Sequence, residues 1–318
     1  MKKHYFLILF IIIAINFFLP RAMPGDPFLY ISVEEGGVAT TFSQNQIEQY
    51  KAYYGLDKPL YIQFFNYIRK LLRGDLGYSI YYDTSVSKMI LIRMPWTIFI
   101  VVCSLFLSSI FGTIIGAISA YVREKCADKL MYIFMIVFSE IPSFLLGLLL
   151  LFVFAAKLKC FPLSGGITAF ASYDTVWSYW YDILHHAALP IITLTLAGLG
   201  NYYLLSRNSM LSVLSKDYIN TARAKGLKKG RILFKHALRN SLPPIIARMF
   251  MSLGNLFGGA VLVENVFAYP GVGKLMSEAV RTRDYVLIQG IFLVVALMML
   301  LMNCLADIVY KKLDPRII

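Results

Sequence analysis

Three groups of residues have types that could carry chemistry: the pair His185-His186, the run Gly271-Val272-Gly273-Lys274, and Glu140, alone inside an apolar stretch. Neighbouring histidines on a helix point about 100° apart, so the pair does not converge on one metal ion. A phosphate-cradling loop needs a glycine where Ala268 stands and a Ser or Thr where Leu275 stands, so the second group lacks both ends of that device. Ser-His-Asp elbows and His-Glu-x-x-His helices are missing as well. These patterns predict a chain that is not itself a catalyst, with no catalytic, metal or cofactor residue of its own. Glu140 is different, because a charge at the centre of a membrane-spanning helix costs about 2.5–3.5 kcal/mol. Its carboxyl is expected to turn toward a helix bundle. There it either sits protonated or hydrogen-bonded beside the backbone that Pro142 frees, or it lines a substrate path and meets a cationic group.

The elements that must position these residues are apolar. With 318 residues, 58% of them hydrophobic and only 15% charged, the composition excludes an ordinary soluble protein. A net charge of +13 would suggest nucleic acid in a soluble chain, but here the cations cluster in loops beside apolar runs, and no nucleic-acid partner is expected. Cys103, Cys126, Cys160 and Cys304 are too scattered for a disulfide framework or a metal site. Runs of span length cover residues 96–122, 130–156, about 187–206, 244–263 and 285–306. Lys2-Lys3 followed by an apolar run to Leu19 adds a first crossing, read as an uncleaved helix over residues 1–22 rather than a signal peptide.

The expected fold is therefore an all-α integral membrane protein of six transmembrane helices. Residues 23–95 form a long extracytoplasmic loop or domain, and residues 96–318 a five-helix core that includes a polar loop at 207–243. Six crossings put both termini on one side. The short segments on that side hold 17 Lys and Arg against 5 on the other, which places both termini in the cytoplasm and the chain in the cell membrane, against its lipid. Gly112-x-x-x-Gly116 and Gly254-x-x-x-Gly258 either let helices approach closely or reflect the general frequency of glycine in membrane helices. Pro142 and Pro190 are expected to interrupt their helices.

Within the polar loop lie nine Lys and Arg residues, from Arg207 to Arg239, against one acid, Asp217. Asp217 can cap a short helix, and Gly226 can end it in the left-handed conformation, leaving about nine residues or roughly 13 Å. Ile219, Ala222, Arg223 and Gly226 share one mostly small face, which suits close docking on a partner. A second helix, about 230–242, carries Ile232, Leu233, Ala237 and Ser241 along one side and is expected to stop at Pro243-Pro244. The bland alternative is a basic surface that fixes topology and touches anionic lipid.

These residues carry a resemblance. Asp217-Tyr218, then Thr221-Ala222-Arg223-Ala224-Lys225-Gly226-Leu227, then His236-Ala237-Leu238-Arg239-Asn240 resemble the cytoplasmic coupling loop, the "EAA" motif, of ABC importer permeases. More narrowly, they are similar to the dipeptide, oligopeptide and nickel permease family. Two departures stand out: Asn220-Thr221-Ala222 replaces Glu-Ala-Ala, and Asn240-Ser241-Leu242-Pro243 replaces Ile-x-Leu-Pro. Further matches follow in order at Met23 to Phe28, Tyr54 to Leu60, Leu72 to Ser79, Ser139 to Phe144, His186 to Pro190, Val263 to Leu275, Arg283-Asp284-Tyr285 and Leu313 to Arg316.

The resemblance implies a permease subunit of an ATP-driven importer, with di- or oligopeptides as the first expectation for substrate and nickel or a metal chelate as the alternative. It implies a second homologous permease, two cytoplasmic ABC ATPases that use the ATP, and an extracytoplasmic substrate-binding protein. Coupling to the ATPases would fall on Asp217, Tyr218, Thr221, Ala222, Arg223, Ala224, Lys225, Gly226 and Leu227. A secondary transporter or channel is the alternative from another class; it would work without an ATPase and leaves the basic two-helix loop unexplained.

Overall fold

The computed structural model describes residues 2–21, 48, 58–79 and 81–313. The matched segments Met23 to Phe28, Tyr54 to Asp57 and Asp314 to Arg316 lie outside them. The described elements are helices, with one isolated bridge between Tyr78 and Ser85. Two compact units arise, each drawn from separate stretches of chain.

The first unit joins the described residues of Met1–Pro95 to Gly271–Met298. It holds α1 (Lys2–Arg21), α2 (Leu60–Leu71), the start of α3 (Val86–Tyr121), α9 (Val272–Arg281) and the first part of α10 (Tyr285–Leu313). Asn16 donates to the Gln289 carbonyl at 2.8 Å, and Gln289 donates back to the Phe17 carbonyl at 3.3 Å, so two polar side chains inside apolar helices satisfy each other's helix. On α2, Phe64 packs edge-on to Phe17 with ring centroids 5.1 Å apart, and Tyr67 joins it. Phe65, the next residue, is 70% exposed, because successive helical residues diverge. Asp284 caps α10 by accepting from the Leu287 amide at 3.0 Å, and its other oxygen accepts from Ser79 Oγ at 2.5 Å. Nearby, Tyr82 donates to Glu278, and burial together with that carboxylate pushes the Tyr82 hydroxyl up to about 12.

The second unit is built from Trp96–Pro270 and Met299–Ile318. Helix α3 starts at Val86, ahead of the apolar run at 96, and passes through Pro95. The span over 130–156 is broken at Pro142, as expected. Helix α4 (Cys126–Glu140) and α5 (Ser143–Leu150), which runs on as π-helical Leu151–Lys157, meet at 99°. Ile141, held extended before Pro142, makes the corner. Helix α6 (Val176–Leu214) is opened by a Thr175–Ser178 capping box and, contrary to expectation, runs through Pro190 without ending. At 39 residues, and about 1.5 Å per residue, it outreaches a hydrocarbon core of roughly 30 Å.

After α7 (Asp217–Ala224), a single turn at Lys229–Arg231 and a π-helical segment, Ile232–Leu238, lead into α8 (Arg239–Val266). Pro243 and Pro244 do not stop this helix. Proline's fixed φ is a helical one, so the helix continues although two backbone donors are lost; just before them the Asn240 and Ser241 side chains hydrogen-bond the carbonyls of His236 and Leu238 at 2.9 Å each. Gly112 and Gly116 seat α3 directly on α6: a Cβ on them would fall 2.6 Å from Tyr202 Cβ and 2.5 Å from the Tyr203 carbonyl. A Cβ on Gly258 would have nothing within 4 Å of it among the described residues.

Three described helices are long and apolar enough to cross a membrane: Val86–Tyr121, Val176–Leu214 and Tyr285–Ile308. A fourth follows if the bent α4–α5 pair counts as one, and α1 adds a shorter apolar stretch, Leu7–Phe18. The chain is thus an all-helical, multi-pass membrane protein.

Candidate functional site

Helix α7 is short because its ends are written locally. Lys216 occupies the cap position without a side-chain cap bond, and Asp217 is the first helical residue rather than the cap, where its charge complements the helix N-terminus. At the other end Gly226 has φ +69°, and the Leu227 amide returns to the Ala222 carbonyl at 3.3 Å.

The face of α7 expected to dock on a partner divides in two. Ile219 and Ala222 are buried in this chain's own core against Ala117 and Ala120 of α3, Met210 of α6, and Ile232, Leu233 and Ala237. Arg223 and Gly226 are exposed. The reason is length: an isolated two-turn helix is not stable in water, so its apolar residues must pack on the bundle. What remains open is the opposite side, with Asp217, Tyr218, Thr221, Ala224 and Lys225 exposed and Leu227 half-buried. Of these, Tyr218, Thr221 and Lys225 recur at helical spacing. The Tyr218 hydroxyl also accepts from Asn240 Nδ2 at 3.1 Å, tying α7 to the start of α8.

Beneath α7 lies a polar clamp that hydropathy alone does not reveal. Arg207, near the end of α6, grips Asp128 of α4 with two parallel hydrogen bonds, Nε to Oδ1 at 3.1 Å and Nη2 to Oδ2 at 2.9 Å. Ser119 Oγ of α3 donates to Asp128 Oδ1 at 2.5 Å and stands 2.7 Å from the Tyr203 hydroxyl of α6. The Arg207 guanidinium also lies over the Tyr132 ring, 5.1 Å from its centroid. Three helices are therefore pinned together one to two turns from the surface on which Ile219 and Ala222 rest.

Glu140 is placed otherwise than expected. As the last residue of α4, at the corner before Pro142, it is exposed on the surface of this chain rather than turned into its core. The buried glutamate among the described residues is Glu264 at the end of α8, fully enclosed and accepting from Thr97 Oγ1 at 2.6 Å. His185 and His186 turn to different partners, the Cys160 and Asp182 carbonyls. Asp182 in turn holds the preceding loop, accepting from the Thr168 amide and hydroxyl at 2.7 Å and from Tyr173 at 2.6 Å. Among the described residues no cluster of three or more His, Cys, Asp or Glu is placed to hold a metal.

The chain belongs to the family of binding-protein-dependent transport system inner membrane components, whose model matches residues 112–318, with the N-terminal model of such components matching residues 3–101. It is 34% identical to the oligopeptide transport system permease protein AppB of Bacillus subtilis, over 96% of this chain and 94% of that one. Similarity at 34% extends to the di/tripeptide permease protein DppB of Pseudomonas aeruginosa, over 95% and 93% of the two chains, and to the glutathione permease protein GsiC of Escherichia coli K12, over 97% and 94%. The fold is shared with a chain of the MetNI methionine ABC transporter in inward-facing form: TM-score 0.57 at 15% identity, covering 72% of this chain and 97% of that one.

Proposed function

We propose that this chain is the permease subunit of an ATP-driven importer of di- or oligopeptides, with α7 as its coupling helix. The observation that carries the proposal is the seating of α7: Ile219 and Ala222 fix it to the bundle, and its opposite face stays free. A helix held this way can hand the movement of an ATPase to the transmembrane block, and a movement passed between two packings of helices is what transport requires. The peptide assignment rests on relatives that carry oligopeptides, di- and tripeptides and glutathione in their names.

On this reading the chain crosses the membrane six times. Helix α1 and the bent α4–α5 pair each count as one crossing, and both termini lie in the cytoplasm. Residues 23–95 lie outside, and 96–318 form the core with its coupling loop. It pairs with a second homologous permease, two ATPases that bind and use the ATP, and an extracytoplasmic binding protein, and contributes no catalytic residue or cofactor. Asp217, Tyr218, Thr221, Arg223, Ala224, Lys225 and Gly226 meet the ATPase, while Ala222 and Leu227 support them from behind. Uptake of a labelled tripeptide into vesicles containing the assembled complex tests the reading. It should require ATP and the binding protein, and uptake driven by an ion gradient without ATP would refute it.

A further inference from the structure

The exposed face of α8 differs in kind from that of α3. On α3 the exposed positions Phe106, Ile110, Phe111, Ile114 and Ile118 are all large and apolar, as a lipid-facing surface requires. On α8 the exposed positions run Pro244, Arg248, Met251, Gly258 and Leu262, spaced by helical turns along one side, with Ser252 half-buried beside them. Ile245 and Ala247, which flank this line on either side, are buried. This open stripe thus holds a full charge and a glycine with nothing within 4 Å of where its Cβ would be, inside the apolar run 244–263. Behind Arg248, the buried Tyr202 hydroxyl has Ser252 beside it and the Arg248 charge close by. A guanidinium with no carboxylate partner among the described residues is unfavourable in hydrocarbon.

We infer that the α8 stripe lines the water-filled passage for the transported solute, and that Arg248 receives a carboxylate of that solute as it crosses. A guanidinium grips a carboxylate through two parallel hydrogen bonds, and it does so without titrating at any physiological pH. Glu140 does not supply this recognition, since its own charge is negative. The inference rests on the peptide-importer reading for the identity of the solute, but not for the water along the stripe.

Two measurements on the assembled complex in vesicles separate these parts. First, Arg248→Gln should slow uptake of trialanine about tenfold while leaving uptake of trialanine amide within about twofold of the unaltered protein, with Arg248→Lys intermediate. Equal loss for both peptides, or loss for neither, overturns the carboxylate role. If the unaltered complex takes up neither peptide, the peptide reading fails, and the carboxylate assignment with it. Second, Gly258→Cys, in a chain whose four native cysteines are replaced by serine, should react with a membrane-impermeant methanethiosulfonate, whereas Ile110→Cys should not. Reaction of the Gly258→Cys thiol with a lipid-soluble maleimide alone would place the stripe against lipid. Protection from both reagents would place it against the second permease. Either result overturns the passage.

Discussion

Arg207 and Asp128 lie 79 positions apart in sequence and meet in a two-pronged ion pair, with side-chain exposures of 17% and 4%. Counted by sequence alone, Arg207 is one of nine cations that set topology. In the fold it is committed to a single carboxylate and joins α6 to α4, with Ser119 bringing in α3.

Removing the charge of Asp128 should therefore loosen the bundle. Breaking a buried pair from one side costs about 3–5 kcal/mol, and because Arg207 can partly reach water, Asp128→Asn should cost roughly 2–3 kcal/mol. Ser119→Ala, which leaves the ion pair intact, should cost about 1 kcal/mol. Thermal melting of the detergent-solubilised complex reads the order of these two effects. Equal melting of Asp128→Asn and the unaltered protein would show that the clamp carries no stability.

Orientation is checked by two native cysteines, both exposed, that the cation count assigns to opposite sides. Cys160 should react with an impermeant thiol reagent in intact cells, while Cys126 should react only after the membrane is opened. Labelling of Cys126 from outside would invert the topology.

Glu140 offers a third test. Its exposure at the α4 corner leaves it to face lipid or a neighbouring subunit, and a charge facing lipid is the costlier of the two. The substrate-path reading of Glu140 predicts that Glu140→Gln reduces uptake of peptides with a free amino terminus about tenfold, or roughly 1.4 kcal/mol, and spares N-acetylated ones, whereas the hydrogen-bonded reading predicts that uptake of both survives. Unchanged kinetics for both substrates would remove Glu140 from the path.

Much of this was legible in the sequence because hydropathy and backbone chemistry are local. Apolar runs located the long helices, Gly226 located the end of α7, and Pro142 located the corner between α4 and α5. What stayed hidden depends on partners far away in the chain. The motif segments around Ser79 and Asp284 are 205 positions apart and carry no local signal that the first hydrogen-bonds the second. The outward or inward sense of α7's faces was hidden for the same reason. Small residues at Ala222 and Gly226 fit a docking face and a core face equally well, and only Ala117, Ala120 and Ala237 on neighbouring elements decide that Ala222 turns inward. Prolines misled in another way: Pro190, Pro243 and Pro244 each remove a donor, yet the helices continue through them.

The most direct test of the account is substrate-stimulated ATP hydrolysis by the assembled complex carrying Ala224→Glu, compared with Ala222→Glu. Ala224 is exposed on α7, so a glutamate there should leave the protein folded and inserted while stimulation by substrate-loaded binding protein is lost. Ala222 is buried against the bundle, so the same change there should lower the amount of folded protein instead. Full stimulation of hydrolysis and full uptake by a correctly inserted Ala224→Glu protein would contradict the assignment of α7 as the coupling helix.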